Sequence, residues 1–355
     1  MLDIKIEKTT HPKPKPADES KLGFGKIFTD HMFIAKYKDG AGWYDASIVP
    51  YGPIELDPSL MSLHYGQSIF EGLKAYRGVD DEIRLFRPEK NFARLNYSAE
   101  RMCLPQIDED FALKALKALV DLDQEWIPHA EGTSLYLRPF MFGTDQYVGV
   151  HPSSEVYFMI ICSPVGAYYP TGLDPVKIIV EDKYVRAVKG GTGYIKTAAN
   201  YAQSLKAQQE AEEKNYSQVL WLDGIEHKYI EEVGTMNIFF VFEDEIVTPA
   251  LNGSILSGIT RMSCVDMLKE WGLPVVERQI SIDEVIEGSQ NGRLKECFGS
   301  GTAAVISPVG ELMIGENKLI FNDGKIGELS QRLYDELTGI QWGKVEDKLG
   351  WMIKI

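Results

Sequence analysis

The chain has 355 residues, which exceeds the usual size of one domain, so we expect two. Apolar residues make up 44% of it and charged residues 25%, the balance of a folded globular protein, and this excludes disorder for most of the chain. The formal net charge of −15 repels phosphate backbones and anionic lipids, so neither nucleic acid nor membrane is an expected partner. An anionic small molecule would need local cations and backbone amides.

The N-terminal segment and the cysteines both favour a cytoplasmic protein. Residues 1–20 are rich in lysine, proline and polar groups, lack the apolar core of a signal peptide and are predicted to form a loose arm. No window reaches the ~18 apolar residues of a membrane span. Four widely spaced cysteines without a CxxC pair are predicted to be buried free thiols, as in a reducing compartment: Cys103, Cys162, Cys264 and Cys297.

The first half of the chain predicts a mixture of strands and helices. Short β-like runs lie between Lys26 and Val49. Apolar spacing then predicts helices over 89–103 and 111–127, followed by strands over 134–138 and 156–161. The stretch 163–175 is dense in glycine and proline and is the best candidate for an inter-domain linker.

The second half continues the same mixture. Its periodicity predicts, in chain order, a strand over 176–181, a helix over 200–214, strands over 218–222 and 237–242, and helices over 259–271 and 331–339. The predicted fold class is therefore α/β with a mixed α+β character. We place a smaller N-terminal α/β domain over 21–165, a linker over 166–178 and a larger C-terminal domain over 179–355.

A glycine-rich run leads into a lysine just before a predicted helix. Three glycines stand between Lys189 and Tyr194, and Lys196 follows among small and apolar residues. Partial desolvation disfavours the ammonium form of a lysine and makes its amine a nucleophile that can form a Schiff base. A surface lysine after a glycine turn is the alternative. A nucleotide loop is disfavoured because neither GxGxxG nor GxxxxGK[ST] is present.

Four other segments offer partners for an anionic, aromatic cofactor. Glu232 lies beside an apolar strand, where an acid needs a partner such as a pyridinium N–H. Ser257 can cap a helix whose first amides would bind phosphate. The small-residue turn 297–303 could form an anion nest, and the arginines of 84–94 offer forks for phosphate. Taken singly, each has an ordinary structural alternative: a surface salt bridge, a capped helix, a glycine turn or a surface arginine.

In combination these features are what a pyridoxal phosphate site requires, and their order resembles one family. The sequence resembles the branched-chain amino acid aminotransferases, which are fold-type IV, D-amino acid aminotransferase-like pyridoxal phosphate enzymes. The resemblance runs from residue 24 to the C-terminal region. Its most specific segments are FEGLKAYRG (70–78), SLYLRP (134–139), EEVGTMNIFF (231–240), LNGSILSGITR (251–261) and FGSGTA (298–303).

The resemblance implies a role for each matching residue. Lys196 would be the catalytic lysine that binds pyridoxal 5'-phosphate covalently and moves a proton. The other cofactor-binding residues would be Tyr201 on the 3-oxygen, Glu232 on the ring nitrogen, Thr235 beside the ring, Arg186 nearby, and Arg94, Ile259, Thr260 and Thr302 on the phosphate. Substrate would contact Phe24, Phe70, Tyr136 and Tyr168 in an apolar pocket, Arg138 at a distal carboxylate, Ala303 at the α-carboxylate, and Tyr65 and Val150 contributed by the partner subunit.

The implied reaction is transamination of leucine, isoleucine or valine with 2-oxoglutarate, by an obligate homodimer with shared active sites. Its substrates are amino acids and 2-oxo acids, and no metal is expected. One pocket must accept both an aliphatic side chain and a carboxylate, and Arg138 is the predicted partner of the carboxylate. Mammalian members carry a redox-sensitive CxxC after the FGSGTA turn; Ala304 and Ser307 stand there, so we expect no thiol regulation and a bacterial-type enzyme.

Other functions remain open at this stage. Within the fold, a D-amino acid aminotransferase or an aminodeoxychorismate lyase shares the lysine and glutamate, although such enzymes lack the long N-terminal section. From another class, the glycine turns could serve a non-catalytic phosphate- or nucleotide-binding module. A metal hydrolase is disfavoured because the six histidines include no pair at ligand spacing.

Overall fold

The computed structural model describes residues 2–166 and 172–355. Two kinds of element make it up, a series of strands and a smaller set of helices. The strands are β1 Lys5–Ile6, β2 His31–Lys38, β3 Gly42–Pro50, β4 Ser68–Phe70, β5 Leu73–Arg77, β6 Ile83–Phe86, β7 Ser134–Gly143, β8 Glu155–Val165, β9 Val176–Glu181, β10 Gln218–Leu222, β11 Ile230–Val233, β12 Asn237–Phe242, β13 Ile246–Thr248, β14 Val275–Glu277, β15 Leu294–Gly301, β16 Val305–Ile314, β17 Asn317–Ile320 and β18 Met352–Lys354. The helices are α1 Met61–Tyr65, α2 Pro88–Arg101, α3 Glu109–Leu122, α4 Ala198–Ala202, α5 Leu205–Glu213, α6 Ile259–Glu270, α7 Ile282–Gln290 and α8 Glu328–Gln341.

The chain divides into two compact units. The first unit comprises Met1–Pro170, Lys196–Ala198 and Gly339–Ile355, and the second comprises Thr171–Ile195 and Ala199–Thr338. The predicted linker, 166–178, includes residues 167–171, which lie outside the described residues, and the predicted domain boundaries stay a prediction. A mixed α/β fold is confirmed, since each unit combines one large sheet with helices.

The first unit is built on a sheet in the order β1-β3-β2-β8-β7-β5-β6-β18, with β4 paired to β7. Side chains alternate between its faces, as they must in a strand. Along β7, Leu135, Leu137 and Met141 are fully buried in the hydrophobic core together with Phe92 of α2 and Leu116 of α3. Tyr136 and Arg138 therefore point to the opposite face.

The two long helices of the first unit begin and end where local chemistry directs. Pro88 occupies the first turn of α2, where its missing N–H costs nothing. Asp108 caps α3 by accepting a hydrogen bond from the amide of Phe111. The predicted helix 111–127 is too long: α3 ends at Leu122, because the carboxylate of Asp123 binds the amide and Nδ1 of His31 at 3.0 and 2.6 Å.

The second unit has a sheet in the order β11-β10-β9-β16-β15-β12-β13-β14, with β17 paired to β16. Parallel pairs join β9 to β10 and β16, whereas β12, β15 and β16 are antiparallel. The predicted strands over 176–181, 218–222 and 237–242 are confirmed to the residue. This arrangement places the ends of β11 and β15 on either side of the turn that begins β12.

Two other predictions fail for local reasons. The predicted helix 200–214 is two helices, α4 and α5, because the Ser204 hydroxyl donates to the carbonyl of Tyr201 and the Gln203 side chain donates to the carbonyl of Arg186. Cys103 is exposed rather than buried, since it turns the chain after α2 with φ of 52°; the other three cysteines are buried free thiols. Within the described ranges, no helix has both the length and the apolar character that a membrane crossing requires.

Candidate active site

Lys196 is fixed to the first unit by its main chain. The amide of Phe70 donates to the carbonyl of Lys196 at 3.0 Å, and Thr197 forms an antiparallel bridge with Ile69. The hydroxyl of Thr197 also donates to the carbonyl of Ser68 at 2.7 Å. The segment 196–198 therefore extends the sheet beside β4, which explains why it groups with the first unit although its chain neighbours do not.

The amine of Lys196 lies in an aromatic setting. Its Nζ is 4.8 Å from the centroid of the Phe70 ring, and the guanidinium carbon of Arg138 is 4.5 Å from the same centroid. Arg138 donates to the hydroxyl of Tyr136 at 2.9 Å, and the Phe24 ring meets Tyr136 edge-on at 4.9 Å. The structure thus brings together four of the predicted substrate residues and the predicted catalytic lysine.

Lys74 is a residue that sequence reasoning passed over. It pairs with Tyr136 across β5 and β7 and is buried. Burial lowers the pKa of Lys74 to about 8, because desolvation penalises the ammonium. The signal was available in the FEGLKAYRG segment, where a lysine interrupts an apolar strand. It was not used, because lysines on strands are usually exposed.

Arg94 is held by a carboxylate that is fully buried. Its Nε and Nη2 each lie 2.8 Å from an oxygen of Glu71, a bidentate pair. Asn91 and the amide of Gly72 also donate to Glu71, at 2.7 and 3.3 Å. The predicted phosphate arginine is therefore oriented by Glu71, a residue absent from the predicted site.

The second unit contains a recess in which four predicted cofactor residues meet: Arg186, Tyr201, Glu232 and Thr235. Arg186 and Glu232 form a buried ion pair at 3.1 Å, with side chains 8% and 4% exposed. The amide of Leu256 donates to Glu232 at 2.7 Å. A buried carboxylate with these two partners stays ionised, since a cation and a donated hydrogen bond both favour the charged form.

Glu231, the neighbour of Glu232, points to the other face of β11 and is also buried. It accepts hydrogen bonds from the hydroxyl of Ser254 and from Asn252. Burial raises the pKa of Glu231, against the lowering effects of Ser254, Asn252 and Arg186. The Ser254 carbonyl in turn accepts a hydrogen bond from Arg186, so the two adjacent acids contact one network.

The predicted phosphate turn lies at the start of α6, with one correction. Ile259 and Thr260 begin the helix as predicted, but its N-cap is Gly258, so Ser257 lies outside the capping position. Glycine is required there because a Cβ would collide with the side chain of Asn237, which donates to the carbonyl of Leu256 at 2.9 Å. The first amides of α6 remain oriented as an anion site would need.

The second predicted turn is shorter than expected. Residues 297–301 belong to β15, and the turn proper is formed by Thr302, Ala303 and Ala304. Val305 then adopts φ of 63°, a left-handed conformation that is costly for a β-branched residue. Gly299 packs against Met236, next to Thr235, so this turn adjoins the turn between β11 and β12.

The two residues predicted to act on a partner subunit lie on the surface of the first unit. Val150 is 80% exposed and Tyr65 is 42% exposed, and the Tyr65 hydroxyl donates to the carbonyl of Val148. Tyr168, the remaining predicted substrate residue, lies outside the described residues. In the part of the chain that the structure describes, no cluster of three metal-binding side chains occurs.

Comparison with known proteins identifies close relatives. The model of the family described as amino-transferase class IV matches residues 68–312. The branched-chain-amino-acid aminotransferase 2 of Bacillus subtilis is 59% identical over 352 residues, covering 99% of this chain and 97% of that protein. The crystal structure of Escherichia coli branched-chain amino acid aminotransferase superposes with a TM-score of 0.75 at 27% identity, covering 90% of this chain and 98% of that one. A further crystal structure, a bacterial branched-chain amino acid aminotransferase with pyridoxamine 5'-phosphate, gives a TM-score of 0.73 at 25% identity, covering 90% of this chain and 97% of that one.

Proposed function

The chain belongs to the amino-transferase class IV family, and from that membership we infer that it transaminates branched-chain amino acids with pyridoxal phosphate bound to Lys196. Its two-sheet architecture is the fold-type IV fold of the structurally known branched-chain aminotransferases. The acceptor that we propose is 2-oxoglutarate, which gives glutamate and branched-chain 2-oxo acids as products.

The setting of Lys196 is the observation that carries the proposal. One aromatic ring, Phe70, lies 4.8 Å from the amine and 4.5 Å from the guanidinium of Arg138. An aliphatic side chain packs favourably on such a ring, while a carboxylate requires the cation. Both substrate types can thus be bound from one amine, which is what exchange between a branched-chain amino acid and a dicarboxylate demands.

The cofactor fits the donor groups of the second unit. A pyridinium N–H needs an ionised acid, and Glu232 is kept ionised by Arg186 and the amide of Leu256. We propose that Tyr201 donates to the 3-oxygen and that Thr235 lies beside the ring. The phosphate would be held by the Arg94 guanidinium, the amides of Ile259 and Thr260, and the Thr302 hydroxyl, with the backbone at Thr302 and Ala303 left for the substrate α-carboxylate.

When bound, pyridoxal phosphate withdraws the electron pair that remains at the substrate Cα after proton loss. Glu232 strengthens that withdrawal by holding the proton of the ring nitrogen in place. Lys196 Nζ accepts the Cα proton and later returns it on the cofactor side. Phe70 and Tyr136 exclude water from the side-chain pocket, and Arg138 orients the distal carboxylate of glutamate.

A homodimer is part of the proposal. Five large apolar residues of the first unit are exposed in two neighbouring segments: Leu63, Tyr65, Tyr147, Val148 and Val150. A patch of this kind on a globular protein is typical of an interface with another chain. The resemblance assigns Tyr65 and Val150 to the partner's pocket, and sedimentation of the purified protein tests this directly.

The activity is tested by absorbance and by a substrate panel. Protein purified with pyridoxal phosphate should be yellow, and Lys196→Ala should lose both the colour and nearly all transamination. L-Leucine should react with 2-oxoglutarate, and D-alanine should not. A colourless wild-type protein that fails to bind added cofactor would contradict the proposal, and preferred turnover of D-alanine would favour a D-amino acid aminotransferase.

A further inference from the structure

The main-chain N–H of Lys196 is bound by a serine far away in the sequence. Lys196 lies between a glycine-rich loop and α4, outside regular secondary structure. Its amide donates to the Oγ of Ser98 at 3.1 Å, across 98 residues of sequence. Its carbonyl accepts from Phe70, so both backbone polar groups of this residue are bound within the first unit. A buried backbone donor that loses such a partner is costly, so this bond fixes the position of the chain.

Ser98 behaves unlike another buried helical serine of the chain. Ser263 of α6 is also fully buried, and its hydroxyl donates to the carbonyl of Ile259, one turn back in its own helix. That local bond is the usual choice of a serine inside a helix. The Ser98 oxygen accepts from Lys196, so it connects α2 to the segment that carries the amine.

Ser98 also shares a helix face with the predicted phosphate arginine. It follows Arg94 by four residues in α2, and positions i and i+4 are neighbours on a helix surface. Arg94 is fixed by Glu71, which follows Phe70 in the chain. One helix and one strand therefore fix both the guanidinium and the main chain of Lys196.

We propose that Ser98 is a positioning residue for Lys196, setting the height of its main chain beside β4 and hence the reach of its amine. This inference rests on the proposed role of Lys196. The hydroxyl acts only as an acceptor for the Lys196 amide and takes no part in proton transfer.

Three variants test the proposal. Ser98→Ala removes the acceptor, Ser98→Thr keeps a hydroxyl at the same place, and Ser263→Ala is the matched control in a buried helical position. Hydrogen exchange of the Lys196 amide, measured by mass spectrometry on the full chain without cofactor, reports the bond itself. We expect exchange about tenfold faster or more in Ser98→Ala, near wild-type exchange in Ser98→Thr and no change in Ser263→Ala.

The catalytic consequence is measured separately on the protein loaded with pyridoxal phosphate. A misplacement of about 1 Å can cost ~100-fold in rate, so Ser98→Ala should lose about 10- to 100-fold in kcat while KM for leucine changes less than about twofold. Ser98→Thr should recover most of that loss. If Ser98→Ala does not fold, Ser98→Cys, of similar volume and with a weaker acceptor, replaces it.

Two outcomes would overturn the inference. Unchanged exchange at Lys196 in Ser98→Ala would mean that the bond does not hold the amide. Faster exchange with an unchanged kcat would mean that the bond serves the fold alone. Neither outcome touches the role of Lys196, which fails only if Lys196→Ala keeps its colour and activity.

Discussion

Replacing Arg138 by alanine should change the substrate preference more than the overall activity. The guanidinium is proposed to bind the distal carboxylate of 2-oxoglutarate, and a hydrogen bond between charged groups contributes about 1.5–3 kcal/mol, or roughly 10- to 150-fold in kcat/KM. Leucine has no such carboxylate. It would lose only the packing of Arg138 on Phe70, a cation–π contact of about 0.5–1 kcal/mol, or roughly 2- to 5-fold. The ratio of the two specificity constants should therefore change about tenfold.

Each half-reaction is measured alone by stopped-flow absorbance, with leucine added to the pyridoxal form and 2-oxoglutarate to the pyridoxamine form. Arg332 stacks on Trp271 at 3.7 Å, so Arg332→Ala is a control that removes an arginine from an aromatic ring elsewhere. It should leave the ratio unchanged. Equal losses for leucine and 2-oxoglutarate in Arg138→Ala would refute the carboxylate role, because they would leave only the packing contribution.

Three other predictions concern buried charge and metal. Glu71→Gln should lower stability to urea by about 3–5 kcal/mol, the cost of breaking a buried pair, against at most about 1 kcal/mol for Glu210→Gln at an exposed pair; similar losses would contradict the pairing. The raised pKa of Glu231 adds stability in acid that is lost as the pH rises through that pKa, so Glu231→Gln should raise the thermal midpoint at neutral pH but not in acid, and an equal shift at both would contradict this. Chelation with EDTA should leave transamination unchanged, and a loss restored by added zinc would contradict a metal-free site.

The strands were the part of the fold that could be predicted best. Runs such as 218–222 and 237–242 are continuous apolar segments bounded by polar or turn residues, and every residue from Gln218 to Leu222 is buried. Local composition decides such elements. Helix ends were less predictable: the break at Ser204 depends on Gln203 reaching the carbonyl of Arg186, a contact 17 residues away. Periodicity carries no information about such a partner.

The proposed site divides in the same way. Lys196, Glu232 and the turns at 258–260 and 302–304 stand out locally, through glycines or a charge among apolar residues. The residues that hold them did not. Ser98 looks like any helical serine, and Arg186 carries no local mark, yet the first binds the Lys196 amide and the second pairs with Glu232.

Glu71 shows the limit of such reasoning in physical terms. A carboxylate within an apolar strand must find a cation, because leaving it buried and unpaired costs several kcal/mol. The sequence therefore requires a partner for Glu71 but offers Arg84, Arg87 and Arg94 within one short stretch. The fold separates them: Arg84 pairs with an aspartate, Arg87 stacks on a tryptophan ring at 4.8 Å, and Arg94 binds Glu71. Because α2 turns Arg94 toward β4, the arginine matched to the phosphate is also the one whose orientation a buried acid fixes.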